Sequence, residues 1–206
     1  MSTHPSDTRG WYLAQFQDFE ERLNGDAASE LHALRRAGLD RFAATGLPSA
    51  HDEDWRHAGI GSVTRTQYSP LPSTCGQETV DENRLPRLPD WTGTELVFVN
   101  GRFSLELSTI RESSGVEVSN LAAAVVPDLA RTHLDAHSSR YQGGFAALNT
   151  AFLEDGAFVH LTGVATPVYI LYVTTPWSGS DEPFTTTPRT LIIADAHSKG
   201  MVVEHY

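Results

Sequence analysis

The sequence predicts an α+β protein in which a mainly helical N-terminal part, with one short β-hairpin, precedes a strand-rich C-terminal part. Apolar residues recur at helical spacing within the first 45 residues. An Asn-Gly pair, a common hairpin turn, directly follows an apolar run at residues 96–99. After residue 156, four short runs rich in Val, Ile, Tyr and Phe have no helical pattern between them. We therefore predict one domain over residues 1–155 and the start of a second over 156–206.

The composition is that of a folded, acidic chain. Of its 206 residues, 40% are hydrophobic and 20% are charged, and the formal net charge is -11. Nucleic-acid binding requires concentrated Lys and Arg, so this charge argues against it. No run of about 18 apolar residues occurs, and the polar N-terminus lacks the apolar core of a signal peptide. These features predict a cytoplasmic protein that binds neither membrane nor nucleic acid.

Two amphipathic helices are predicted near the N-terminus. The first, over residues 11–23, has apolar side chains at offsets of 4, 7 and 11, namely Tyr12, Phe16, Phe19 and Leu23. The second, over 27–44, is capped by Asp26 and stopped by Gly46 and Pro48. Its apolar side consists of Leu31, Leu34, Leu39 and Phe42.

A β-hairpin is predicted after an irregular stretch. Residues 51–89 are rich in Gly, Pro, Ser and Thr, so at most short elements are expected there. Residues 96–99 then form a strand candidate. Because Asn100 and Gly101 both tolerate positive φ, they predict a tight turn into a second strand at 102–105.

Helices follow this hairpin. The Ala and Leu content of residues 120–140 predicts one or two helices there, with Pro127 starting the second. Residues 145–153 predict a further helix, whose apolar positions lie at offsets of 3 and 7. Gly156 closes that segment.

Four strands are predicted in the C-terminal part, at residues 157–161, 168–174, 189–194 and 201–206. Their centres lie 11, 22 and 11 residues apart, which fits the coils of a β-solenoid and also fits an antiparallel sandwich. The last run, ending at Tyr206, has no turn or cap, so we expect a truncated longer protein. Exposed strand edges would then allow self-association.

The single cysteine, Cys75, excludes an intramolecular disulfide and any Cys-x-x-Cys motif. An iron–sulfur cluster normally needs about four protein ligands, mostly thiolates. We expect Cys75 to be an ordinary free thiol in an exposed loop, because no Lys, Arg or His adjoins it. The chain also lacks the Gly-x-Ser-x-Gly and Gly-x-x-x-x-Gly-Lys-Ser/Thr motifs, so neither a hydrolase nucleophile nor an NTPase site is predicted.

Two sets of histidines could hold a metal ion, but plainer interpretations are favoured. His133 and His137 are four residues apart on a predicted helix with Asp135 between them, and a solvated helix face is the better interpretation. The segment 51–57 combines two histidines with three acidic residues. It is better explained as a polar loop anchored by a buried Trp55.

A third histidine set lies in the strand region. His160, His197 and His205 would converge only if the strands stack in register, and packed or solvent-facing positions are favoured. We therefore predict no catalytic, cofactor-binding or metal-binding residue in this chain.

Several strings lie in a fixed order along the chain, at residues 51–56, 96–103, 145–152 with 155–160, 188–193 and 202–206. In this order they resemble the SufB/SufD family of iron–sulfur cluster assembly scaffolds. The residues that carry the resemblance, which we take as structural, are Trp55, Asn100, Gly101, Asn149, Phe152, Asp155 and Gly156. The long helical start and the Asn-Gly motif make the chain more similar to the SufD branch than to SufB. His51 departs from the Arg that the family often has there, in a loop that looks structural.

The resemblance implies a helical N-terminal domain that leads into a right-handed parallel β-helix, of which only the first coils are present. It implies a non-catalytic scaffold that pairs with a SufB-like paralogue and a SufC-like ATPase and supports iron acquisition. The SufC-binding helices and the family residues proposed to handle the nascent cluster would lie beyond Tyr206. The implied cluster is transient and belongs to the full complex, so no cofactor is expected in this chain.

Two alternatives to a Suf scaffold stay open from the residues alone. One is a metal-dependent or carbohydrate-acting enzyme on a β-helix or β-sandwich, using the third histidine set or the acidic loop at 51–57. The other is an interaction module without any link to iron–sulfur clusters.

Overall fold

A computed structural model describes residues 7–23, 29–71, 80–123, 128–140, 143–176 and 181–206. In these ranges the fold is a mixture of helices and strands, as predicted. The helices are α1 (Thr8–Arg22), α2 (Glu30–Thr45), α3 (Gly61–Arg65), α4 (Asp128–Arg140) and α5 (Gly144–Ala151). The strands are β1 (Ser69–Pro70), β2 (Thr94–Val99), β3 (Arg102–Phe103), β4 (Val116–Asn120), β5 (Gly156–Leu161), β6 (Val168–Val173), β7 (Phe184–Thr185), β8 (Arg189–Ala194) and β9 (Val202–His205).

The chain forms two compact units, each assembled from separated segments. The first contains Met1–Leu71, Arg131–Leu153 and Ser180–Thr187, and the second contains Pro72–Ala130, Glu154–Gly179 and Pro188–Tyr206. The division into domains at residues 1–155 and 156–206 stays a prediction. Within the described ranges, every helix is too short or too polar to cross a bilayer.

Helix α1 buries the face that its sequence predicts. Tyr12, Phe16 and Phe19 are at most 3% exposed, and Leu23 packs beside them. Asp7 caps the helix, because its side chain accepts a hydrogen bond from the N–H of Gly10 at 2.9 Å. The spacing of apolar residues therefore placed this helix correctly.

Helix α2 starts later than predicted. Ser29 is its N-cap and accepts a hydrogen bond from the His32 N–H, whereas the predicted cap Asp26 lies outside the described residues. The helix ends at Gly46, whose φ of 68° favours glycine. The predicted apolar residue Phe42 is fully buried, and its ring meets that of Tyr12 edge-on at 5.8 Å.

Close approach of α2 and α5 requires a small residue. A Cβ atom on Gly38 would lie 2.8 Å from the backbone nitrogen of Ala151 and 2.9 Å from the Cβ of Thr150. Glycine lets the two backbones touch, and this contact seats α5 against the aromatic cluster of α1. Nearby, buried Arg35 donates from Nε to the carbonyl oxygen of Leu153 at 2.7 Å.

The described residues of the second unit form two sheets, between which the chain alternates. One sheet has the order β3-β2-β6-β9, the other β4-β5-β8, and neither is closed. β6 lies parallel to β2 and β9, and β5 lies parallel to β8. Along the chain, β5 and β8 therefore belong to the β4-β5-β8 sheet, whereas β6 and β9 belong to the β3-β2-β6-β9 sheet. The parallel pairing contradicts the antiparallel-sandwich alternative.

The two sheets of this unit face each other across an apolar core. Alternate residues of β2 and β6, including Phe98 and Ile170, pack with Val159 and other residues of β5. The opposite face of the β2–β6 pair is covered by Leu85 and by the half-buried Trp91. Because β2 and β6 are covered on both faces, all six residues of β2 are buried, as expected for a central parallel strand.

The middle of the chain holds the clearest correction. Residues 120–140 were predicted as helical, but Asn120 ends β4, which is antiparallel to β5. The alternation of Val116 and Val118 with polar residues was the strand signal, and the Ala and Leu that follow obscured it. Helix α4 begins at Asp128, and the predicted start at Pro127 lies outside the described residues.

Other predicted elements agree more closely. The described part of residues 51–89 holds short elements, namely α3, β1 and 3₁₀ turns at Glu53–Trp55 and Glu82–Arg84. The hairpin is confirmed, with Val99 paired to Arg102 across Asn100 and Gly101. Its second strand is shorter than expected.

Candidate functional site

Among the described residues, the last strand of each sheet in the second unit pairs with a neighbour on one side. β8 and β9 are edge strands, and both run parallel to their single described neighbours. Ile192 of β8 is 44% exposed, although its register partner Val159 on β5 is fully buried. Val164, Met201 and Tyr206 add exposed apolar surface in the same unit. We call the edges of β8 and β9, with Ile192, Met201 and Tyr206, the open end.

The open end carries a polar network beside its apolar residues. The Tyr172 hydroxyl lies 2.8 Å from Oγ1 of Thr190. The Thr190 hydroxyl in turn donates a hydrogen bond to the Glu204 carboxylate. The Tyr206 hydroxyl also donates to Glu204, at 3.3 Å, and its ring stacks on that of Tyr172 at 5.0 Å. Burial raises the pKa of Tyr172 to about 12, although the Thr190 hydrogen bond acts to lower it. Tyr172 is therefore neutral at ordinary pH and serves packing.

Asp155 joins three segments of the second unit. Its Oδ2 accepts from the N–H of Phe103 at 2.9 Å. Its Oδ1 accepts from Asn120 Nδ2 at 3.1 Å, from the Ala122 N–H at 3.0 Å and from the Gly156 N–H at 2.8 Å. Since the carboxylate is 5% exposed and both oxygens are engaged, it acts as a structural anchor.

The neighbours of Asp155 reinforce this junction. Glu154 pairs with Arg102, whose Nη2 lies 2.6 Å from Oε2. On the other side, a Cβ atom on Gly156 would overlap the carbonyl group of Arg189 on β8. Only glycine allows β5 and β8 to approach this closely at their first residues.

The hairpin turn is tied to the end of β6. Asn100 and Gly101 have φ values of 51° and 83°, the left-handed region that this turn requires. The Asn100 side chain accepts from the N–H of Thr175 and donates to its hydroxyl, both at 2.9 Å. Asn100 therefore fixes the turn as well as forming it.

The remaining motif residues lie in the first unit. Trp55 is half-buried, not buried as predicted, and its ring lies 5.1 Å from that of Phe145. A 3₁₀ turn at a polar surface leaves one side of the indole in solvent. Phe152 ends α5 inside the aromatic cluster and is 2% exposed. Asn149 is half-buried on α5.

The third histidine set does not converge. Nε2 of His160, on β5, lies 3.0 Å from Oδ1 of Asp195. Its Nδ1 lies 3.6 Å from Oε2 of Glu117. His205 belongs to the other sheet and lies 2.7 Å from the hydroxyl of Tyr169. Each of these imidazoles therefore has partners of its own.

The other candidate residues are equally separate. The rings of His133 and His137 stack on α4 at 6.3 Å, while the side chain of Asp135 and the whole of Cys75 lie outside what the structure describes. His197 is exposed in a turn, and His51 is exposed in its loop. Among the described residues, no three His, Cys, Asp or Glu side chains are grouped to hold a metal ion.

One buried charge cluster was missed by sequence reasoning. Glu95 is 7% exposed within β2 and forms an ion pair with Arg87. The Arg87 guanidinium also lies 3.1 Å from the Glu82 carboxylate and donates to the carbonyl oxygen of Leu107 at 3.0 Å. The signal was a single acidic residue in an otherwise apolar strand, which implies a buried partner. The sequence did not indicate that this partner is Arg87, which lies on the irregular segment before β2.

Comparisons with known proteins agree with the resemblance. The family described as SufBD protein N-terminal region matches residues 6–167. A relative from Synechocystis sp. strain PCC 6803, named as an iron–sulfur cluster assembly SufBD family protein, is 25% identical over 191 residues. The match covers 89% of this chain and 41% of the relative, so the chain spans about two fifths of the relative's length. The chain belongs to the SufB/SufD family, whose N-terminal region it contains.

Proposed function

We propose that this chain is the N-terminal part of a SufD-type scaffold subunit in the cytoplasmic SufB–SufC–SufD machinery for iron–sulfur cluster assembly. The observation that carries the proposal is the open end, where two parallel strand edges and Ile192 are accessible next to a well-packed core. Such a surface suits contact between stacked strands rather than a reaction pocket.

The strands β5, β6, β8 and β9 are, in this proposal, the first coils of a right-handed parallel β-helix. Support comes from the alternation of these strands between two sheets and from their parallel register, with Val159 opposite Ile192 and Ile170 opposite Glu204. Each coil would place one strand in each sheet, so that like positions stack from coil to coil.

A non-catalytic role is supported by the state of the polar groups in the second unit. Asp155 has hydrogen bonds on both oxygens, and His160 has two carboxylate neighbours. With one cysteine in the sequence, the chain lacks a thiolate set for a cluster of its own. In the proposal the cluster is cargo of the whole complex, assembled with a SufB-like paralogue and a SufC-like ATPase.

Copurification tests the partner assignment. The full-length protein, tagged and coexpressed with SufB-like and SufC-like partners, should retain both through a wash at about physiological ionic strength. Failure to retain either partner would end the proposal. The SufD assignment predicts that the full-length protein restores cluster assembly in cells lacking SufD and fails in cells lacking SufB.

Metal analysis separates the scaffold from the rival enzyme. The purified 206-residue chain should carry less than stoichiometric zinc or iron after dialysis. Tightly bound stoichiometric metal would favour a metal-dependent enzyme and would count against the scaffold.

A further inference from the structure

A carboxylate stands at the open end, where the apolar core of the second unit meets its edge. Glu204 of β9 is the register partner of Ile170 on β6, which is fully buried in that core. Val202, two positions earlier on β9, packs against the same core. Because alternate residues of a strand share a face, the exposed Glu204 lies on the inner face of β9. That face therefore combines apolar packing with one negative charge.

The Glu204 carboxylate joins the two sheets at this end. Its Oε1 accepts a hydrogen bond from the Thr190 hydroxyl of β8 and another, at 3.3 Å, from the Tyr206 hydroxyl. Among the described residues, Glu204 has no ion pair with Lys, Arg or His, and no hydrogen bond reaches its Oε2. Neutral donors therefore hold the carboxylate in place, and its charge and one oxygen are available to a partner.

An aromatic column leads to the same place. Rings at paired positions of β3, β2 and β6 lie 5.6 and 5.0 Å apart, in the order Phe103, Phe98 and Tyr172. Tyr206, directly after β9, stacks on Tyr172 at 5.0 Å with an interplanar angle of 17°. Tyr206 is itself 79% exposed. Since Tyr172 covers one face of this last ring, the other face is available to an apolar or aromatic side chain.

We propose that the open end receives a strand of a partner subunit that carries a basic side chain facing Glu204 and an apolar or aromatic side chain facing Tyr206. This inference rests on the proposed function, in which strand edges of this chain contact a partner, and it names what that partner presents. Opposite charges across paired strands stabilise a sheet, whereas like charges destabilise it. Covering Glu204 with an apolar residue alone would leave a buried charge unpaired.

The same carboxylate makes a second copy of this chain a poor occupant. If two open ends paired so that both sheets continued, position 204 of each β9 would face one shared interior. Two carboxylates would then meet where water is excluded, and the net charge of -11 on each chain would add to the repulsion. Glu204 therefore selects for a basic partner strand and against an identical one, so self-association of this chain requires high concentration.

A mixing experiment tests this selectivity. The probe is the Glu204→Lys variant of this chain, which supplies a basic side chain at the required position. Sedimentation velocity of an equimolar mixture of wild type and Glu204→Lys should show association at least about tenfold tighter than that of either chain alone. Glu204→Gln alone should associate more tightly than the wild type, because the amide removes the repulsion between carboxylates.

The matched control is Glu106→Lys. It makes the same change of charge at an exposed position in the turn after β3, outside the open end. Its mixture with the wild type should associate within about twofold of the wild type alone. All three substitutions are at exposed positions, and thermal unfolding of each variant checks that it folds.

Three outcomes would overturn the proposal. The first is a mixture of wild type and Glu204→Lys that associates no more tightly than the wild type alone. The second is an equal gain in the Glu106→Lys mixture, which would mean a general effect of net charge. The third is a Glu204→Gln chain that associates no more tightly than the wild type. Copurification of the full-length protein with SufB-like and SufC-like partners tests the scaffold separately, so either idea can fail without the other.

Discussion

The Asp155 carboxylate lies 2.9 Å from the backbone nitrogen of Phe103 and accepts its hydrogen bond. This contact joins the residue that precedes β5 to the short return strand of the hairpin, 52 positions earlier in the chain. The second unit therefore depends on one carboxylate to hold the hairpin, the end of β4 and the start of β5 together.

Replacing Asp155 by Asn should destabilise the chain by about 2–3 kcal/mol. The amide NH₂ would face a backbone N–H group that now donates a hydrogen bond to the carboxylate. Urea unfolding followed by circular dichroism measures the change. Asp181→Asn, at an exposed position, is the matched control and should change stability by less than about 0.5 kcal/mol. Equal stability of the two variants would contradict the anchoring role.

Replacing Gly156 by Ala should cost about 3 kcal/mol or more, because the added Cβ would overlap the Arg189 carbonyl group and separate β5 from β8. Gly163→Ala is the control, since its Cβ would meet the Cα of Gly115 at an ordinary 3.7 Å. Thermal unfolding of both variants measures the difference. A Gly156→Ala variant as stable as the control would show that the strands can separate without loss.

Tyr172 should make the chain lose stability in alkali. Its folded pKa of about 12 lies above the unfolded value of 10.0, so its stabilising contribution is complete below pH 10 and is lost as pH rises towards 12. The total loss is about 3 kcal/mol. Tyr172→Phe removes this titration, while near neutral pH it loses the Thr190 hydrogen bond, at about 1 kcal/mol.

Urea midpoints between pH 8 and pH 12 for the wild type and Tyr172→Phe test this prediction. Burial also raises the pKa values of Tyr12, Tyr169 and Tyr206, so both proteins should lose stability in alkali. The wild type should lose more. Parallel curves would mean that Tyr172 ionises in the folded state as readily as in the unfolded state.

The open end should cause the 206-residue chain to self-associate at high concentration, because unpaired strand edges pair readily with other chains. Sedimentation velocity should show a concentration-dependent increase in mass. Ile192→Lys should reduce it, since a charge at an edge strand blocks pairing. Leu105→Lys, which is 70% exposed outside any strand, should leave it unchanged. A monomer at every concentration would contradict the prediction.

Local patterns predicted the elements whose partners are close in sequence or whose faces are regular. The apolar spacing of α1 identified Tyr12, Phe16 and Phe19 as its buried face. The Asn100 and Gly101 pair marked the hairpin turn, because few other residues adopt positive φ without strain. Runs of β-branched residues located β5, β6, β8 and β9 to within one or two residues, since such side chains favour the extended, paired conformation of a strand.

Candidate sites were harder to predict than elements. The sequence allowed the histidines at 160 and 205 to converge only if their strands stacked in register, and alternation of the chain between two sheets gives them separate partners. The buried Glu95 found its partner on an irregular segment, which no periodicity describes. Strand β4 was missed because the residues that follow Asn120 have a helix-like composition. Pairing with β5 sets the extended conformation of β4.

The sequence by itself determined the class of fold, the place of the hairpin turn and of the four C-terminal strands, and the absence of a thiolate set, since these depend on residue type and on spacing within a few positions. The tertiary structure alone decided that the C-terminal strands pair in parallel and that Asp155 joins three distant segments. Such relationships depend on which separated segments pack together, and that choice is set by the summed free energy of the whole fold.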